Sequence, residues 1–368
     1  MEKQIWQGVE PSLWRRLADM SKPLVLYGMG DGADKVIAQL NRLGLSPHGI
    51  FASDEFVRGQ QFAGMTVLTY QAAKQHFGDM CVLVCFGTEQ PEVLAKIAQI
   101  AQEQEVYAPH VPLFGTELFD EDFVAGHEAN LLAADALWAD DFSRQVYRDY
   151  LAYMWTGRVD YLFRSETAKL DAWQELALTD NEVFLDLGAY DGDTAAEFAA
   201  LTGGQYQAIW AMEPDPKNFL KLQRQLADMP RAQALQMAAW RQSGSLSFAG
   251  KAGRNSALYK ENDEQAKVKP GAVTQAQTIS LDDLWQQFMP TQPPTVIKMD
   301  VEGAEEAVLQ GAAALLAAHQ PKLAVSAYHR TPDIFRLPLL INQLNPDYRL
   351  ALRHHPYIPG WETNIYAK

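Results

Sequence analysis

The sequence contains only two cysteines, Cys81 and Cys85, and both fall in one short apolar stretch. Four strand steps would separate their Cα atoms by about 13 Å, whereas a disulfide needs less than about 7 Å. We therefore expect two reduced, buried thiols. The N-terminus also lacks the pattern of a secretory signal, so the sequence predicts a cytoplasmic protein.

Basic residues are also scarce. Lys and Arg number 31 against 46 Asp and Glu, which gives a formal charge of −15. Nucleic acids and anionic membranes attract clustered Lys and Arg, so neither is expected as a partner. The chain has no apolar run of about 18 residues that would span a bilayer. Ligand spacings such as His-x-x-x-His or Cys-x-x-Cys are missing too, so no metal site is predicted.

Strand and helix patterns alternate in the N-terminal third of the chain, which predicts a doubly wound parallel sheet. We assign residues 1–117 to a Rossmann-like module. Its predicted strands are 23–27, 49–52, 66–68 and 81–86, and its predicted helices are 33–43, 71–76 and 91–104.

A helical connector is predicted over residues 118–180, where strand signals disappear and apolar residues recur at helical spacing. A second alternation begins at Val183, and residues 181–368 form the second predicted domain. The polar segment 251–274 reads as a long loop. The predicted strands of this domain are 183–187, 207–212, 233–238, 295–299, 322–327, 347–353 and 362–367.

The first strand of the second domain runs into an acidic glycine turn, Asp-Leu-Gly-Ala-Tyr-Asp-Gly-Asp at residues 186–193. Such a turn leaves backbone N–H groups free at a helix start. Its carboxylates disfavour a pyrophosphate and favour a ligand with an ammonium or sulfonium centre, which indicates S-adenosylmethionine (SAM). The predicted cofactor contacts here are Asp186, Gly188, Tyr190, Asp191, Gly192 and Asp193.

Further candidates close the next strands, because ligands of open α/β sheets lie beyond the carboxyl ends of the strands. Glu213 is predicted to accept the ribose hydroxyls, with a solvated loop carboxylate as the alternative. Ala239 and Trp240 would form an adenine wall, although Trp240 fits an ordinary core position equally well. Asp300 is predicted both as a cofactor contact and as a catalytic residue, because it would face the methionine ammonium or the substrate; it is equally suited to cap the following helix.

The fifth strand ends at Tyr-His-Arg. His329 is the predicted general base for a hydroxyl proton, because imidazole titrates near neutral pH; a purely structural histidine is the competing interpretation. Substrate contacts are predicted for Arg330, which would bind an anionic or sugar-like group, and for His354 in the loop between the last two strands. Arg254 and Ser256 are either substrate contacts or loop polar groups.

These residues resemble the FkbM-type family of SAM-dependent O-methyltransferases. The resemblance rests on residues 186–194, Glu-Pro-Asp-Pro at 213–216, Arg-Asn-Ser at 254–256 and Ile-Lys-Met-Asp-Val-Glu-Gly-Ala-Glu at 297–305. It covers the C-terminal half of the chain. It implies a class I methyltransferase fold with an antiparallel terminal strand, and methyl transfer to a hydroxyl of a sugar, polyketide or similar small-molecule acceptor. It supplies no assigned base.

The N-terminal module carries a Gly-x-Gly-x-x-Ala turn and an acidic residue after its second strand, which fits the dinucleotide pattern. In its Gly-Ile-Phe-Ala-Ser-Asp run at 49–54 and its Gly-x-x-Phe-x-Gly run at 59–64, it is similar to the small Rossmann module found before some sugar-nucleotide acyltransferases. A nucleotide or nucleotide-sugar is therefore predicted at Gly28, Gly30 and Asp54. A module that only packs on its neighbour is the alternative.

The sequence favours a SAM-dependent O-methyltransferase acting on a sugar, nucleotide-sugar or natural-product hydroxyl. A SAM or nucleotide sensor without turnover is the second interpretation. A nicotinamide-dependent oxidoreductase using the Gly28 turn is the third, and the second half of the chain gives it no support. Both a monomer and a homo-oligomer are compatible with the sequence.

Overall fold

The computed structural model describes residues 10–249, 257–258 and 273–368. Its first part is an α/β module. The strands are β1 (Leu24–Tyr27), β2 (Gly49–Phe51), β3 (Gln61–Phe62), β4 (Met65–Leu68), β5 (Cys81–Val84) and β6 (Glu105–Tyr107). The helices are α1 (Leu13–Ala18), α2 (Asp31–Arg42), α3 (Tyr70–Phe77) and α4 (Pro91–Glu103), with a 3₁₀ turn at Asp54–Phe56.

The six strands form one sheet in the order β3-β4-β2-β1-β5-β6. All neighbours are parallel except β3 and β4. Every residue of β1 and β5 is buried, as expected for parallel strands covered on both faces. The sequence pattern misses β3 and β6, because these edge strands are only two and three residues long.

Helices dominate the connector. They are α5 (Glu121–Asp135), α6 (Asp141–Thr156), α7 (Asp160–Phe163) and α8 (Lys169–Trp173), followed by a 3₁₀ turn at Gln174–Leu176. The longest of these helices is α6, with 16 residues. It packs on the C-terminal part of the chain, where the Ser143 hydroxyl accepts hydrogen bonds from the Leu352 N–H and the Arg353 guanidinium.

The C-terminal part contains eleven described strands and six α-helices. The strands are β7 (Val183–Leu187), β8 (Ala208–Met212), β9 (Ala232–Leu235), β10 (Ala238–Ala239), β11 (Gly244–Ala249), β12 (Ala257–Leu258), β13 (Val273–Ile279), β14 (Val296–Met299), β15 (Lys322–Ser326), β16 (Leu350–His354) and β17 (Thr363–Ala367). The helices are α9 (Asp193–Leu201), α10 (Pro216–Leu226), α11 (Leu281–Phe288), α12 (Glu305–Gln310), α13 (Ala313–His319) and α14 (Asp333–Leu344).

Seven of these strands form the main sheet, in the order β16-β17-β15-β14-β7-β8-β9. The last strand, β17, is antiparallel to both of its neighbours, and the pairs on the other side of β15 are parallel. The predicted fold class, two doubly wound sheets with an antiparallel terminal strand in the second, is therefore confirmed.

A smaller sheet, β10-β13-β11-β12, was not predicted. Residues 250–256 and 259–272 lie outside the described residues, so most of the predicted loop 251–274 is not described. Its described parts, β12 and the start of β13, are strands. Four of the seven residues of β13 are polar and do not alternate with apolar ones, which gives little of the hydrophobic signal that marks a strand.

Among the described helices, none combines the length and the apolarity that a membrane crossing requires.

Candidate active site

The glycine turn after β7 lies between the ends of β8 and β14. Gly188 has a φ of +76°, and a Cβ atom placed on it would lie 1.9 Å from the carbonyl oxygen of Asp300. The Gly188 N–H donates to the Met212 carbonyl at 3.1 Å, and the Asp300 N–H donates to the Leu187 carbonyl at 3.0 Å. Glycine is required here by both the dihedral angle and the close backbone approach.

Glu213 follows β8 and is only 7% exposed. Its Oε2 atom accepts the Tyr190 N–H at 3.0 Å, and its Oε1 atom accepts the Asp215 N–H at 2.8 Å. Burial raises the pKa of Glu213 to about 7, although these two N–H groups lower it. Each carboxylate oxygen retains a second lone pair, so the group can accept two further hydrogen bonds from a ligand.

Lys298 is the cation at the centre of the site. Its Nζ atom lies 3.4 Å from Asp186 Oδ1 and 3.8 Å from Asp300 Oδ2, as the shared strand face of Lys298 and Asp300 predicts. Burial disfavours its charge, but Asp186 and Asp300 outweigh burial and raise the pKa of Lys298. Burial raises the pKa of Asp186 above its usual value, although the Lys298 ammonium lowers it.

His329 lies among three carboxylates. Its Nδ1 atom is 2.9 Å from Glu305 Oε1, and its Nε2 atom is 3.4 Å from Asp300 Oδ1 and 3.6 Å from Glu302 Oε2. Burial lowers the pKa of His329, but the three carboxylates outweigh burial and raise this pKa to about 10. Glu302 adopts a φ of +55°, an uncommon conformation for a residue other than glycine.

The predicted base therefore carries a proton at neutral pH in this arrangement. Asp300, in contrast, is deprotonated. Burial raises its pKa, but Lys298 and His329 outweigh burial and hold the pKa of Asp300 below its usual value. An ionised carboxylate can accept a proton, whereas an imidazolium cannot. Of the two predicted catalytic residues, Asp300 is thus the one in the protonation state that a base needs.

A cavity of about 600 Å³ lies at the carboxyl edge of the main sheet, and Lys298 and Glu302 are among the residues that line it. The sequence-predicted residues that line it are Gly188, Tyr190, Asp193, Glu213, Ala239, Asp300 and His329. Ligand cavities of several hundred Å³ suit molecules of cofactor size.

Several predicted residues are not part of this lining. Asp186 is fully buried behind Lys298. Arg330 is exposed, and its Nε atom donates to the Gly303 carbonyl at 2.8 Å. Those that do not line the cavity are Asp186, Asp191, Gly192, Trp240, Arg330 and His354. The predicted substrate contacts Arg254 and Ser256 lie outside the described residues.

The prediction that His354 lies in a loop is wrong, because His354 is the last residue of β16. It is 1% exposed, and its Nδ1 atom lies 3.0 Å from the Thr363 hydroxyl. Burial lowers the pKa of His354 to about 3, so the ring is neutral. The neighbouring His355 is also buried but does line the cavity.

Sequence reasoning missed a second group of residues that line the cavity. Tyr328, the neighbour of His329, belongs to this group. The aromatic pair Tyr357 and Trp361 lies in the β16–β17 loop with ring centroids 5.8 Å apart. The missed residues also include Lys169, Trp173, Ser326 and Glu362. A run of aromatic and acidic residues after a strand end was the available signal.

The N-terminal module also contributes to the cavity, through Glu89, Pro91 and Leu113. Thr88 and Ile358 exchange backbone hydrogen bonds of 2.8 and 3.0 Å. A Cβ atom on Gly87 would lie 2.2 Å from the Trp361 ring. The two α/β units are therefore in direct contact at the mouth of the site.

The predicted nucleotide residues of the N-terminal module lie elsewhere. Gly28 has a φ of +102° and packs against the Phe86 ring, which a Cβ atom would approach to 2.3 Å. Gly30 precedes α2, whose first turn carries Asp31 and Asp34. Asp54 is exposed in the 3₁₀ turn. Acidic side chains at this helix start oppose phosphate binding, and the nucleotide site stays a prediction.

Comparison with known proteins gives a consistent picture of the fold. Residues 186–359 match the family described as Methyltransferase FkbM domain. The solved structure of Methyltransferase FkbM from Methylobacillus flagellatus KT is 20% identical, covers 96% of this chain and 93% of its own, and has a TM-score of 0.68. That similarity extends over the N-terminal module as well. A comparison with curated proteins gave no match.

Aeropyrum pernix fibrillarin in complex with natively bound S-adenosyl-L-methionine is 11% identical over 52% of this chain and 69% of its own, with a TM-score of 0.33. A rRNA methylase from Streptococcus thermophilus is 13% identical over 54% of this chain and 93% of its own, also with a TM-score of 0.33. These overlaps are too loose to bear on function.

The order of the seven-stranded sheet and the cavity at its carboxyl edge are those of a Rossmann-like methyltransferase fold. Residues 186–359, just under half of the chain, carry the sequence pattern of the FkbM methyltransferase domain. The resemblance noted in the sequence is thereby confirmed.

Proposed function

We propose that this protein transfers the methyl group of SAM to a hydroxyl of a sugar, nucleotide-sugar or natural-product acceptor. The observation that carries the proposal is the position of Glu213. It is a buried carboxylate at the end of β8, it lines the cavity beside the glycine turn, and its oxygens retain accepting capacity. A ribose diol supplies two donors at the spacing of one carboxylate.

The rest of SAM would extend from Glu213 in two directions. Met237, Ala238 and Ala239 line the cavity on one side, where small and apolar groups suit the adenine face. Gly188, Lys298 and Asp300 lie on the other side, where opposite charges suit the two charged groups of an amino acid. The sulfonium would then lie near Asp300.

The acceptor would enter from the side formed by the β16–β17 loop and the N-terminal module, where Tyr357, Trp361 and Glu89 line the cavity. Its hydroxyl oxygen forms a bond to the methyl carbon as the carbon–sulfur bond breaks, and S-adenosylhomocysteine leaves. The hydroxyl proton passes to Asp300, which is ionised and faces the cavity. Because the sulfonium is already an activated donor, positioning supplies much of the acceleration.

Replacing Glu213 with alanine should weaken SAM binding about ten- to a hundredfold, because charge-assisted hydrogen bonds contribute about 1.5–3 kcal/mol. Isothermal titration calorimetry with SAM and S-adenosylhomocysteine measures the change. Glu213→Gln keeps the volume and one acceptor, so it should lose less affinity than Glu213→Ala. Wild-type affinity in the alanine variant would contradict the ribose assignment. Tight SAM binding without methyl transfer to any acceptor hydroxyl would instead support the alternative function, a SAM sensor without turnover.

The affinity for SAM should also depend on pH through Glu213. Ribose hydroxyls donate to the carboxylate, so the free protein must first lose the proton that burial retains up to about pH 7. Affinity should therefore increase from pH 6 to pH 8, by at most about tenfold per unit below the pKa. Calorimetry across this range tests the trend, and Glu213→Gln should flatten it. An equally steep profile in that variant would assign the titration to another group.

A further inference from the structure

Three side chains from two segments of the chain, residues 300–305 and residue 329, converge beside the cavity. Asp300 follows β14, Glu305 begins α12, and His329 follows β15. Each offers one ligand atom, and these three atoms lie within 4.8 Å of one another. Ligand atoms of a divalent cation lie about 2.0–2.6 Å from the ion, so pairs of them are roughly 3–5 Å apart. The three side chains are thus close enough to share one ion with small side-chain movements.

Buried polar atoms without partners point to a missing ligand at this place. Glu305 is 1% exposed; its Oε1 atom accepts the Val301 N–H at 2.9 Å, while its Oε2 atom makes no hydrogen bond to any described residue. His329 Nδ1 is buried and also lacks a hydrogen bond, since its 2.9 Å contact with Glu305 does not have hydrogen-bond geometry. Leaving a buried acceptor unsatisfied costs about 1–3 kcal/mol, and a bound cation would remove that cost.

The charges around these atoms favour a cation as well. Lys298 and His329 are the basic groups, and Lys298 is already shared between Asp186 and Asp300. Glu302 adds a third carboxylate within 3.6 Å of the imidazole, and it lines the cavity. Four carboxylates therefore surround two basic side chains: Asp186, Asp300, Glu302 and Glu305.

We propose that Asp300, Glu305 and His329 bind one divalent first-row transition metal ion of the Mn²⁺ type. Two carboxylates and one imidazole, once the ion has displaced the proton that His329 otherwise carries, form a mixed oxygen and nitrogen donor set, which suits such an ion better than Ca²⁺. Asp300 and His329 line the cavity, so open coordination positions would face the acceptor side. Ion binding does not depend on the proposed methyl transfer. If that function holds, the ion would orient the acceptor hydroxyl and lower its pKa.

The test is a titration of chelator-treated full-length protein with Mn²⁺. Binding is measured as the loss of the free Mn²⁺ signal in electron paramagnetic resonance. We expect one saturable equivalent per chain. Pulsed resonance of the bound ion should show coupling to an imidazole nitrogen, a signature that requires no variant. Absence of a saturable site, or a bound ion without nitrogen coupling, would overturn the proposal.

Variants locate the ion. His329→Ala and Glu305→Gln should each lower the affinity for Mn²⁺ at least tenfold. Glu306→Gln is the matched control, because Glu306 is the next residue of α12 and lies outside the cluster; it should bind Mn²⁺ like the wild type. Unchanged binding in a folded His329→Ala protein would refute the site. SAM titration of the same preparations keeps the two proposals apart, because SAM binding without Mn²⁺ binding would reject only the metal site.

Discussion

Replacing Gly188 with alanine should cost about 4 kcal/mol of stability and abolish measurable SAM binding. The new Cβ atom would lie 1.9 Å from the Asp300 carbonyl oxygen, which is backbone and cannot rotate away. The left-handed φ of +76° adds about 1–2 kcal/mol of strain. Relief would require separating the turn from β14, and that separation would displace the Asp300 carboxylate. Urea denaturation and calorimetry with SAM measure the two effects.

Gly204 provides the matched control for this variant. It has the same φ of +76°, but no heavy atom lies within 4 Å of the Cβ position. Gly204→Ala should therefore cost only the conformational strain, about 1–2 kcal/mol, and leave SAM affinity unchanged. The difference between the two alanine variants isolates the close approach of the two backbones. Equal destabilisation in both would show that the contact between the turn and β14 is unimportant.

Lys298→Met is expected to destabilise the protein by about 3–5 kcal/mol, because it leaves a fully buried carboxylate without a counter-charge. Asp186 has no exposed surface. The same change removes one of the two cations beside Asp300, so the rate of methyl transfer should fall as well. Denaturant titration gives the free energy of unfolding, and the initial rate of S-adenosylhomocysteine formation gives the activity.

Two further variants distinguish the effect of the uncompensated buried charge from a general loss of stability on replacing a lysine. Asp186→Asn combined with Lys298→Met removes the uncompensated charge, so the double variant should regain about 2 kcal/mol. Lys74→Met breaks an ion pair with Glu103 of 2.7 Å between side chains that are 43% and 30% exposed. It should cost about 0–1 kcal/mol. A Lys298→Met loss no larger than that of Lys74→Met would mean that Asp186 is compensated by another group.

Much of the site could be predicted from the sequence because the chemistry of a parallel sheet is concentrated at strand ends. The strand pattern placed Gly188, Glu213 and Asp300 after three strands, and the structure brings all three to one cavity. The same rule assigned His354 wrongly. Its position depends on where β16 ends, and strand ends are the part of a pattern that periodicity defines least well.

Protonation states could not be predicted at all. His329 was expected to be a base because a free imidazole titrates near neutral pH. Three carboxylates from one other segment, residues 300–305, raise its pKa to about 10. Conversely, Glu213 as a loop carboxylate would be ionised at neutral pH, but burial raises its pKa to about 7. Both changes come from neighbours that are distant in sequence.

The sequence by itself determined the alternation of strands and helices, the glycine turn and the acidic residues at strand ends, because each of these depends on side chains within a few positions of one another. Only the tertiary structure decided that Glu89 and Trp361 border the same cavity and that Asp300, Glu305 and His329 share one cluster. Such groupings require loops and crossovers to bring separate segments together, and local periodicity carries no information about those distances.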